Sequence, residues 1–271
     1  YLVPTPIGNL GDISSRAAET LSGADFIAAE DTRVTVKLLN HLGIKKPMLN
    51  YHRHNTGTAG QAILNRLQDG EDCALVTDAG TPAVSDPGEE LVARCARLDI
   101  PVTSLPGPCA LVTALAVSGL PTGRFTFEGF LAMNRKNRRA HLDSLRGERR
   151  TMIFHEAPHK LAATLRDMAE VFGAERPVSL CRELTKLHEE IFRTTLGQAA
   201  ARYQEEGPKG EFVLVIRGTE QEKPEGASLE EGLLLVERLR GEGLSLRDAV
   251  RQAAGELELS RNQLYDLAVG R

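Results

Sequence analysis

The sequence predicts an α/β protein in which two α/β domains are followed by a small helical module of the helix-turn-helix kind. Three observations support this class. Short apolar runs alternate with amphipathic segments up to about residue 120, which is typical of a parallel sheet covered by helices. A second set of strand-like and helical segments follows, and a polar stretch with Pro and Gly then precedes three helical patterns. We therefore expect domains at residues 1–122 and 123–219, a linker at 220–227 and a helical module at 228–271.

The first domain contains five apolar runs that we interpret as buried strands, each closed by Pro, Gly, Asp or Thr. These runs are Tyr1–Val3, Asp25–Ala29, Met48–Tyr51, Cys73–Thr77 and Val102–Leu105. Helical patterns lie between them, at Thr32–Leu42, Ala59–Leu67 and Pro87–Leu98. The first of these ends at Gly43, a residue that suits the position just after a helix.

The second domain begins with an aromatic strand near Arg124–Leu131. Further strands are predicted at Thr151–His155, Pro177–Cys181, Glu190–Thr194 and Glu211–Ile216, and a helix at His159–Phe172. Phe212–Ile216 is a continuous apolar run, which predicts a central strand. The module at the end of the chain is predicted to hold helices at Ser228–Arg240, Leu246–Leu257 and Ser260–Val269, with Ser245 and Ser260 as N-caps.

Composition excludes several classes of protein. The net charge of −4 excludes a globally basic nucleic-acid binder but leaves room for a local basic patch. The four cysteines form no CxxC pair, so we expect neither a metal site nor a disulfide framework, and we expect a reducing, cytoplasmic location. No basic stretch followed by an apolar run stands at the start of the sequence, so we expect no secretory signal, and no apolar run reaches the length of a membrane span.

Ligands of open α/β sheets bind beyond the carboxyl ends of the strands, so the loops after the strands carry the functional information. The first is Pro4-Thr5-Pro6-Ile7-Gly8-Asn9-Leu10-Gly11-Asp12, a tight turn without a P-loop or dinucleotide motif, whose Asp12 is a plausible cap for the next helix. The second is Glu30-Asp31-Thr32-Arg33. Its charged residues either cap a helix through Asp31 or Thr32 and form a local ion pair, or face a substrate.

The loop after the fourth strand, Thr77 to Gly88 (TDAGTPAVSDPG), is long and rich in Gly and Pro. Such a loop presents backbone groups and carboxylates to a zwitterionic ligand that carries a ribose. The fifth strand ends in Pro106-Gly107-Pro108-Cys109-Ala110, whose small residues allow an adenine or a sulfonium to lie against the chain.

Taken together and in order, these stretches resemble the tetrapyrrole-methylase superfamily. The motifs are YLVPTPIGNLGD, AAEDTR, TDAGTPAVSDPG and LPGPCALVTALAVSGLP, and FTFEGFL, FHEAPHK, CRELTKLHEE and GEFVLVIRG continue the resemblance. Within the superfamily they are similar to the ribosomal small-subunit methyltransferase I family, whose members methylate the 2′-oxygen of a cytidine in 16S ribosomal RNA. Tetrapyrrole-modifying members often have Gly-Asp-Pro where this chain has Ala79-Gly80-Thr81, which favours the RNA-modifying branch.

The resemblance implies a fold of the tetrapyrrole-methylase type that binds S-adenosylmethionine in the cleft between its two α/β domains. The positions that match the family's cofactor loops are Ile7, Asp78, Ala79, Gly80, Thr81, Val84, Cys109, Ala110, Glu156 and Leu184. The resemblance also implies a homodimer that acts on 16S rRNA or the small ribosomal subunit. The alternatives are a methyltransferase for a tetrapyrrole or another small molecule, and a ribosome-binding module that has lost its catalytic activity.

A ribose 2′-hydroxyl is a very weak acid, so a base or a positive field is expected to help it lose its proton. The catalytic candidates are Glu30, Asp31 and Arg33 at the edge of the cleft. His155, Glu156 and Lys186 are further candidates, although a lone histidine such as His155 is more often structural.

Residues 133–150 (MNRKNRRAHLDSLRGERR) form a basic segment with seven Lys or Arg residues and two acidic ones. We predict RNA phosphate contacts for four of them, Arg135, Lys136, Arg138 and Arg139, against the alternative of a solvated helix face. The helical module has more acidic than basic residues. It is therefore predicted to contact RNA, to contact ribosomal protein, or to cover an apolar face.

Overall fold

The structure is a computed structural model, and it describes residues 1–205, 207–219, 228–257 and 259–270. The chain divides into two compact units, Tyr1–Gly218 and Thr219–Arg271, which are described separately below. The linker predicted at residues 220–227 lies outside the described residues. In the part of the chain that is described, no helix combines the length and the apolar character that crossing a membrane requires.

The first half of the larger unit is built on a parallel sheet of three strands in the order β2-β1-β3. Its elements are α1 (Ser15–Gly23), β1 (Phe26–Ala29), α2 (Thr32–His41), β2 (Met48–Asn50), α3 (Thr56–Gln68), β3 (Cys73–Val76), α4 (Glu89–Arg97) and α5 (Ala110–Val117). Side chains alternate along each strand, so the sheet has two apolar faces. Leu21 of α1 and Leu39 of α2 pack on one face. Ile63 of α3 and Leu91 of α4 pack on the other.

Two of the five predicted strands in this half are reduced to single bridges. Leu2 pairs in parallel with both Leu75 and Ser104, so the segment of Leu2 lies between β3 and the segment of Ser104. They are too short to count as strands because Pro4 and Pro106 interrupt them and have no N–H to donate to a longer ladder.

One expected helix cap is also wrong. The sequence favoured Asp12 as the cap of the first helix, but Asp12 ends a short 3-10 turn. The cap of α1 is Ser14, whose hydroxyl oxygen accepts a hydrogen bond from the backbone N–H of Ala17.

The second half of the larger unit is built on a mixed sheet of five strands in the order β4-β5-β8-β6-β7. Its elements are β4 (Phe125–Phe130), α6 (Arg135–Ser144), β5 (Thr151–Glu156), α7 (Pro158–Phe172), β6 (Pro177–Arg182), β7 (Glu190–Thr195), α8 (Leu196–Glu205) and β8 (Phe212–Ile216). The predicted central position of β8 is confirmed, and all of its residues are buried. Only β4 and β5 pair in parallel, and the remaining pairs are antiparallel.

Helices cover both faces of this sheet. Leu161 and Leu165 of α7 and Ala199 of α8 belong to the core on one face. The other face is covered by α5, whose Leu111 and Leu115 pack with residues of β5 and β8. Helix α5 therefore lies within the predicted domain 1–122 but packs against the sheet of the next domain, which brings the loop ends of the two halves together.

The smaller unit contains three helices in its described part, α9 (Leu229–Gly241), α10 (Leu246–Glu256) and α11 (Arg261–Val269), close to the predicted bounds. Ser228 and Glu231 form a capping box at the start of α9. Ser245 caps α10 through its side chain, whereas Ser260 stands at the N-cap of α11 without such a bond. The helices pack through small and branched apolar residues, including Val236, Leu239, Ala249, Val250, Ala253 and Leu264.

Candidate active site

The larger unit contains a cavity of about 500 Å³ at the strand ends of both sheets. Loops that follow β1 and β3 form one wall. The opposite wall is formed by the ends of β4, β5 and β6 and by the start of β8, which the antiparallel pairing places beside the end of β5. The lining residues are Ile7, Glu30, Asp78, Ala79, Ser85, Asp86, Ala110, Phe130, His155, Glu156, Ala157, Pro158, Cys181, Leu184, Glu211, Phe212 and Val213.

Most of the predicted cofactor positions line this cavity or lie next to it. The structure places Ile7, Asp78, Ala79, Ala110, Glu156 and Leu184 in its lining. Gly80 lies beside the cavity. Its N–H donates a hydrogen bond to the Thr5 carbonyl, and its carbonyl accepts one from the Thr5 N–H. A Cβ at Gly80 would lie 3.3 Å from the side chain of Ile7, which lines the cavity. Gly80 also has a φ of +86°, which a residue with a side chain rarely adopts.

The other three predicted cofactor positions are not in the lining. Thr81 donates a hydrogen bond from its hydroxyl to the carbonyl oxygen of Pro108 at 2.9 Å, which ties two cofactor loops together. Cys109 occupies the N-cap position of α5, and Val84 lies partly exposed in the loop after β3.

Two loops at the cavity contain strained backbone. Ala83 and Ser85 have φ values of 68° and 64°, and Glu183 and Thr185, on either side of Leu184, have φ values of 51° and 68°. Residues other than glycine rarely adopt such values, and those that do tend to occur where the surrounding structure fixes a functional geometry. The Ser85 carbonyl is further fixed by a hydrogen bond from the guanidinium of Arg53.

The wall contributed by the second sheet contains a buried carboxylate and a buried imidazole. Glu156 is 2% exposed and accepts hydrogen bonds from the Thr164 hydroxyl at 2.6 Å and from the Ala157 N–H at 2.8 Å. It also forms an ion pair with the Lys160 ammonium at 2.8 Å. These contacts give Glu156 a structural role at the cavity wall.

His155 presents its ring to the same cavity. Its ring lies edge-on to those of Phe127 and Phe130, with centroid separations of 5.0 and 5.4 Å. Its buried Nε2 has no hydrogen-bond partner among the described residues. Burial lowers the pKa of His155, so the imidazole is neutral at physiological pH.

Three carboxyl groups of the first wall have raised pKa values. Burial, followed by the charge of Asp78, raises the pKa of Glu30. Burial is also the main cause of the raised pKa of Asp78. For Asp86, burial together with the charge of Glu30 raises the pKa to about 6. This wall therefore contains a carboxyl group whose pKa is close to neutral pH.

Of the three catalytic candidates, only Glu30 lines the cavity. Asp31 is the N-cap of α2 and accepts a hydrogen bond from the backbone N–H of Arg33 at 2.8 Å. Its carboxylate also pairs with the Arg33 guanidinium at 2.6 Å, and these bonds lower the pKa of Asp31 to about 2. The start of α2, which holds Asp31 and Arg33, is joined to the cavity by one hydrogen bond. The Asp31 N–H donates to the carboxylate of Asp78, a lining residue, at 3.2 Å.

Lys186, a further catalytic candidate, is at the cavity edge but not in the lining. Its ammonium group bonds the carboxylates of Glu183 and Glu211, each at 2.9 Å. Its side chain also lies against Gly8, where a Cβ would come within 2.4 Å of the Lys186 Cγ. The glycine of the first loop therefore permits the loop after β6 to approach.

The four predicted RNA contacts differ in exposure. Arg138 is only 6% exposed, and its guanidinium pairs with the buried carboxylate of Asp167 at 2.7 Å. Arg135 and Arg139 lie nearer the surface and pair with Asp167 and Glu170. Lys136 is exposed. Acidic residues of α7 therefore neutralise part of the positive charge of the basic segment. An RNA contact by Arg138 would require its guanidinium to leave the ion pair with Asp167.

Several residues that line the cavity were not among the predicted site residues, namely Ser85, Asp86, Phe130, Cys181 and Glu211. Asp86 could have been found, since it belongs to the loop after β3 and precedes a proline that restricts its backbone. Glu211 gave no such signal because its position depends on the antiparallel placement of β8, which periodicity does not reveal.

Comparison with known proteins agrees with this architecture. Residues 1–200 match the family model described as Tetrapyrrole (Corrin/Porphyrin) Methylases. The solved structure of a uroporphyrin-III-C-methyltransferase from Thermus thermophilus aligns with a TM-score of 0.56 and 18% identity, over 79% of this chain and 92% of that one. At that identity the likeness concerns the fold alone.

Several curated proteins are similar over nearly their whole length. One from Synechocystis sp. is 50% identical, covering 99% of this chain and 96% of its own, and one from Halalkalibacterium halodurans is 45% identical, covering 98% and 93%. A third, from Thermotoga maritima, is 48% identical over 81% of this chain and 98% of its own length. All three are named ribosomal RNA small subunit methyltransferase I.

Proposed function

We propose a function on the premise that this chain belongs to the tetrapyrrole (corrin/porphyrin) methylase family and, within it, to the ribosomal RNA small subunit methyltransferase I family. The chain transfers the methyl group of S-adenosylmethionine to the ribose 2′-oxygen of a cytidine in 16S rRNA of the small ribosomal subunit. The observation that carries this proposal is the cavity at the strand ends of both sheets, in a chain half identical to a relative named for that class of substrate.

The cavity suits S-adenosylmethionine by the chemistry of its lining. Apolar side chains such as Ile7, Leu184 and Val213 lie beside a set of carboxylates, a combination that suits a ligand with an aromatic base, a ribose, a sulfonium and an amino group. The unpartnered Nε2 of His155 is a buried polar atom that a ligand could satisfy. Because Gly80 has no side chain, its backbone can lie close to the cavity, whereas a Cβ at this position would lie 3.3 Å from the Ile7 side chain.

The residues assigned to the cofactor are Ile7, Asp78, Ala79, Gly80, Thr81, Val84, Cys109, Ala110, Glu156 and Leu184. When bound, S-adenosylmethionine supplies a methyl group activated by the positive charge on sulfur. The chain contributes positioning and exclusion of water, which account for much of the rate in an in-line displacement. Glu30, Asp31 and Arg33 are assigned to the substrate edge, with Glu30 in the lining and the other two at the start of α2.

The RNA is proposed to lie along the basic segment at α6. Of the four assigned residues, Arg135, Lys136 and Arg139 are accessible enough to contact phosphates, whereas Arg138 supports them from the interior. The chain is proposed to act in the cytoplasm and to form a homodimer. Sedimentation of the purified protein would test the homodimer.

The alternative acceptor is a tetrapyrrole or another small molecule. The solved tetrapyrrole enzyme matches at 18% identity, whereas the relatives named for ribosomal RNA match at 45% to 50%, so the RNA acceptor is favoured. Calorimetric titration with S-adenosylmethionine tests the part of the proposal that both acceptors share. Saturable binding is expected, and its absence at millimolar ligand would contradict a role as a methyltransferase of either kind.

A further inference from the structure

Asp86 differs from the other carboxylates that line the cavity. Asp78 accepts a hydrogen bond from the backbone N–H of Asp31 at 3.2 Å, and the backbone N–H of Asp78 is near enough to Glu30 to lower its pKa. Glu156 is fully bonded, and Glu211 pairs with Lys186. Among the described residues, none donates a hydrogen bond to the carboxylate of Asp86 or forms an ion pair with it. Its oxygens are therefore free to accept a proton from a bound molecule.

The backbone holds Asp86 in place although its side chain has no partner. Ser85, directly before it, has a φ of 64°, and its carbonyl oxygen is bonded by the Arg53 guanidinium. Pro87, directly after it, restricts the Asp86 backbone, and its carbonyl accepts a hydrogen bond from the N–H of Ala83 at 3.3 Å. A strained loop that fixes one unpartnered carboxylate at a cavity wall is an arrangement typical of a catalytic group.

The charges around Asp86 come from each element that packs near it. Glu30 after β1 and Asp78 after β3 are negative and raise its pKa, and Arg53 after β2 is positive and lowers it. The opposite wall contributes the neutral His155 and two carboxylates, Glu156 and Glu211, each of which is paired with a lysine. Burial is the largest cause of the raised pKa of Asp86, the charge of Glu30 comes second, and together they raise the pKa to about 6.

We infer that Asp86, which the strained loop after β3 holds at the cavity wall, is the proton acceptor for the ribose 2′-hydroxyl. This inference rests on the proposed function. As the hydroxyl oxygen bonds to the methyl carbon, the carbon–sulfur bond breaks with its electron pair left on sulfur, and the hydroxyl proton moves to the Asp86 carboxylate. Asp86 then releases that proton to water.

The substitution that tests this role is Asp86→Asn, which keeps the shape of the side chain and removes its basicity. Single-turnover methylation of small subunits is expected to slow by about a hundredfold or more, the usual contribution of a general base. Affinity for S-adenosylmethionine and thermal stability should stay at wild-type levels, because no bond to the carboxylate is lost. Wild-type turnover by the Asp86→Asn protein would overturn the inference.

The pH profile separates a catalytic role from a structural one. A base must be ionised, so the wild-type rate should rise with pH through about 6 and then level off. Glu30→Gln removes a negative neighbour and should move this rise to lower pH. Arg53→Gln removes a positive charge near Asp86 and should move the rise to higher pH. Opposite shifts from two residues on different loops would not follow from a loss of packing.

A measurement independent of activity uses the carboxyl carbon of Asp86, labelled and followed by NMR across pH in the protein without ligand. The midpoint is expected near pH 6, with the same opposite shifts in the Glu30→Gln and Arg53→Gln proteins. His155→Gln is the competing variant. If it abolishes the acid limb of the rate while Glu30→Gln leaves that limb unmoved, His155 is the base and the inference is wrong. Failure of the inference differs from failure of the proposed function. A wild-type chain that methylates no small subunits contradicts the proposed function, whereas the outcomes above concern only the role of Asp86.

Discussion

Asp31 and Arg33 combine an observed helix cap with a proposed substrate edge in one short segment. Asp31 caps α2 and bonds the guanidinium of Arg33, whose side chain is 88% exposed. A surface ion pair of this kind contributes little to stability. The guanidinium at the start of α2 is therefore free to be used by a substrate at small structural cost.

Arg33→Ala is predicted to lower the turnover of RNA methylation without changing the melting temperature or the affinity for S-adenosylmethionine. The matched variant is Asp31→Asn, since asparagine caps a helix as well as aspartate but has no charge to pair with Arg33. It should retain stability and lose turnover. If Arg33→Ala and Asp31→Asn both keep full turnover, the segment serves only as the helix cap.

Gly80 tests the cofactor assignment at the level of a single backbone position. Valine at Gly80 would have to adopt a φ of +86° and would press on Ile7, so it should distort the loop that faces the cavity. Strain of this kind costs roughly 1–3 kcal/mol. We expect affinity for S-adenosylmethionine, measured by calorimetry, to fall at least about tenfold, which corresponds to roughly 1.4 kcal/mol.

The control for this substitution is Gly43→Val. Gly43 also has a positive φ, of 69°, but a Cβ there would have no atom within 4 Å. The valine at residue 43 should therefore show the cost of backbone strain alone, with unchanged cofactor affinity. Equal affinities in the two variants would place the cofactor away from the loop after β3.

At the scale of elements, α6 combines an interior and an exterior role within ten residues. Arg138 faces inward to Asp167 of α7, while Lys136 faces solvent. Both are basic residues of one short run, and the sequence does not distinguish them. The acidic partners lie about thirty residues later in the chain, so only the packing of α6 on α7 assigns each arginine its environment.

Lys136→Ala is predicted to weaken RNA binding and to reduce the slope of log affinity against log salt by about one phosphate contact. It should not change stability. Arg138→Ala is the contrasting variant, because it leaves the buried Asp167 with a weaker set of partners and should reduce the free energy of unfolding by about 3 kcal/mol. Filter binding at several salt concentrations and denaturant unfolding measure the two effects. If Lys136→Ala and the wild type give equal slopes, the segment is a solvated face and the RNA is bound elsewhere.

Periodicity was sufficient to predict most helices and strands, and β8 was also predicted with its central position in the sheet. It overestimated the segments near Leu2 and Ser104, where prolines prevent a longer ladder. It also missed the chemistry of Asp86. The loop containing Asp86 was recognised, but its reduced acidity depends on burial and on Glu30, which lies more than fifty residues away along the chain.

At the scale of the whole molecule, all residues that line the cavity lie in the unit Tyr1–Gly218. The Thermotoga maritima relative matches 81% of this chain with 98% of its own length, so about a fifth of this chain has no counterpart there. A region of that size equals the unit Thr219–Arg271 in length. Cofactor binding is therefore expected to be a property of the larger unit.

A chain that ends at Gly218 is predicted to bind S-adenosylmethionine within about twofold of the full chain, as expected for a unit with its own core. Calorimetry measures this affinity, with circular dichroism as the check on folding. The same truncation carrying Gly80→Val serves as the control and should lose binding. A folded truncated chain without affinity for S-adenosylmethionine would mean that residues after 218 are needed to form the site. The salt dependence of RNA binding by the truncated chain then reports whether the helical module contacts RNA.

The most direct test of the proposed function is transfer of a labelled methyl group from S-adenosylmethionine to small ribosomal subunits from cells that lack the enzyme. Label is expected in 16S rRNA, on the ribose 2′-oxygen of a single cytidine, with none when the Gly80→Val protein is used. Nuclease digestion and mass spectrometry of the labelled nucleoside identify the modified atom. Label on a base, in protein or in an added tetrapyrrole, with none on a ribose, would contradict the proposed 2′-O-methylation of 16S rRNA.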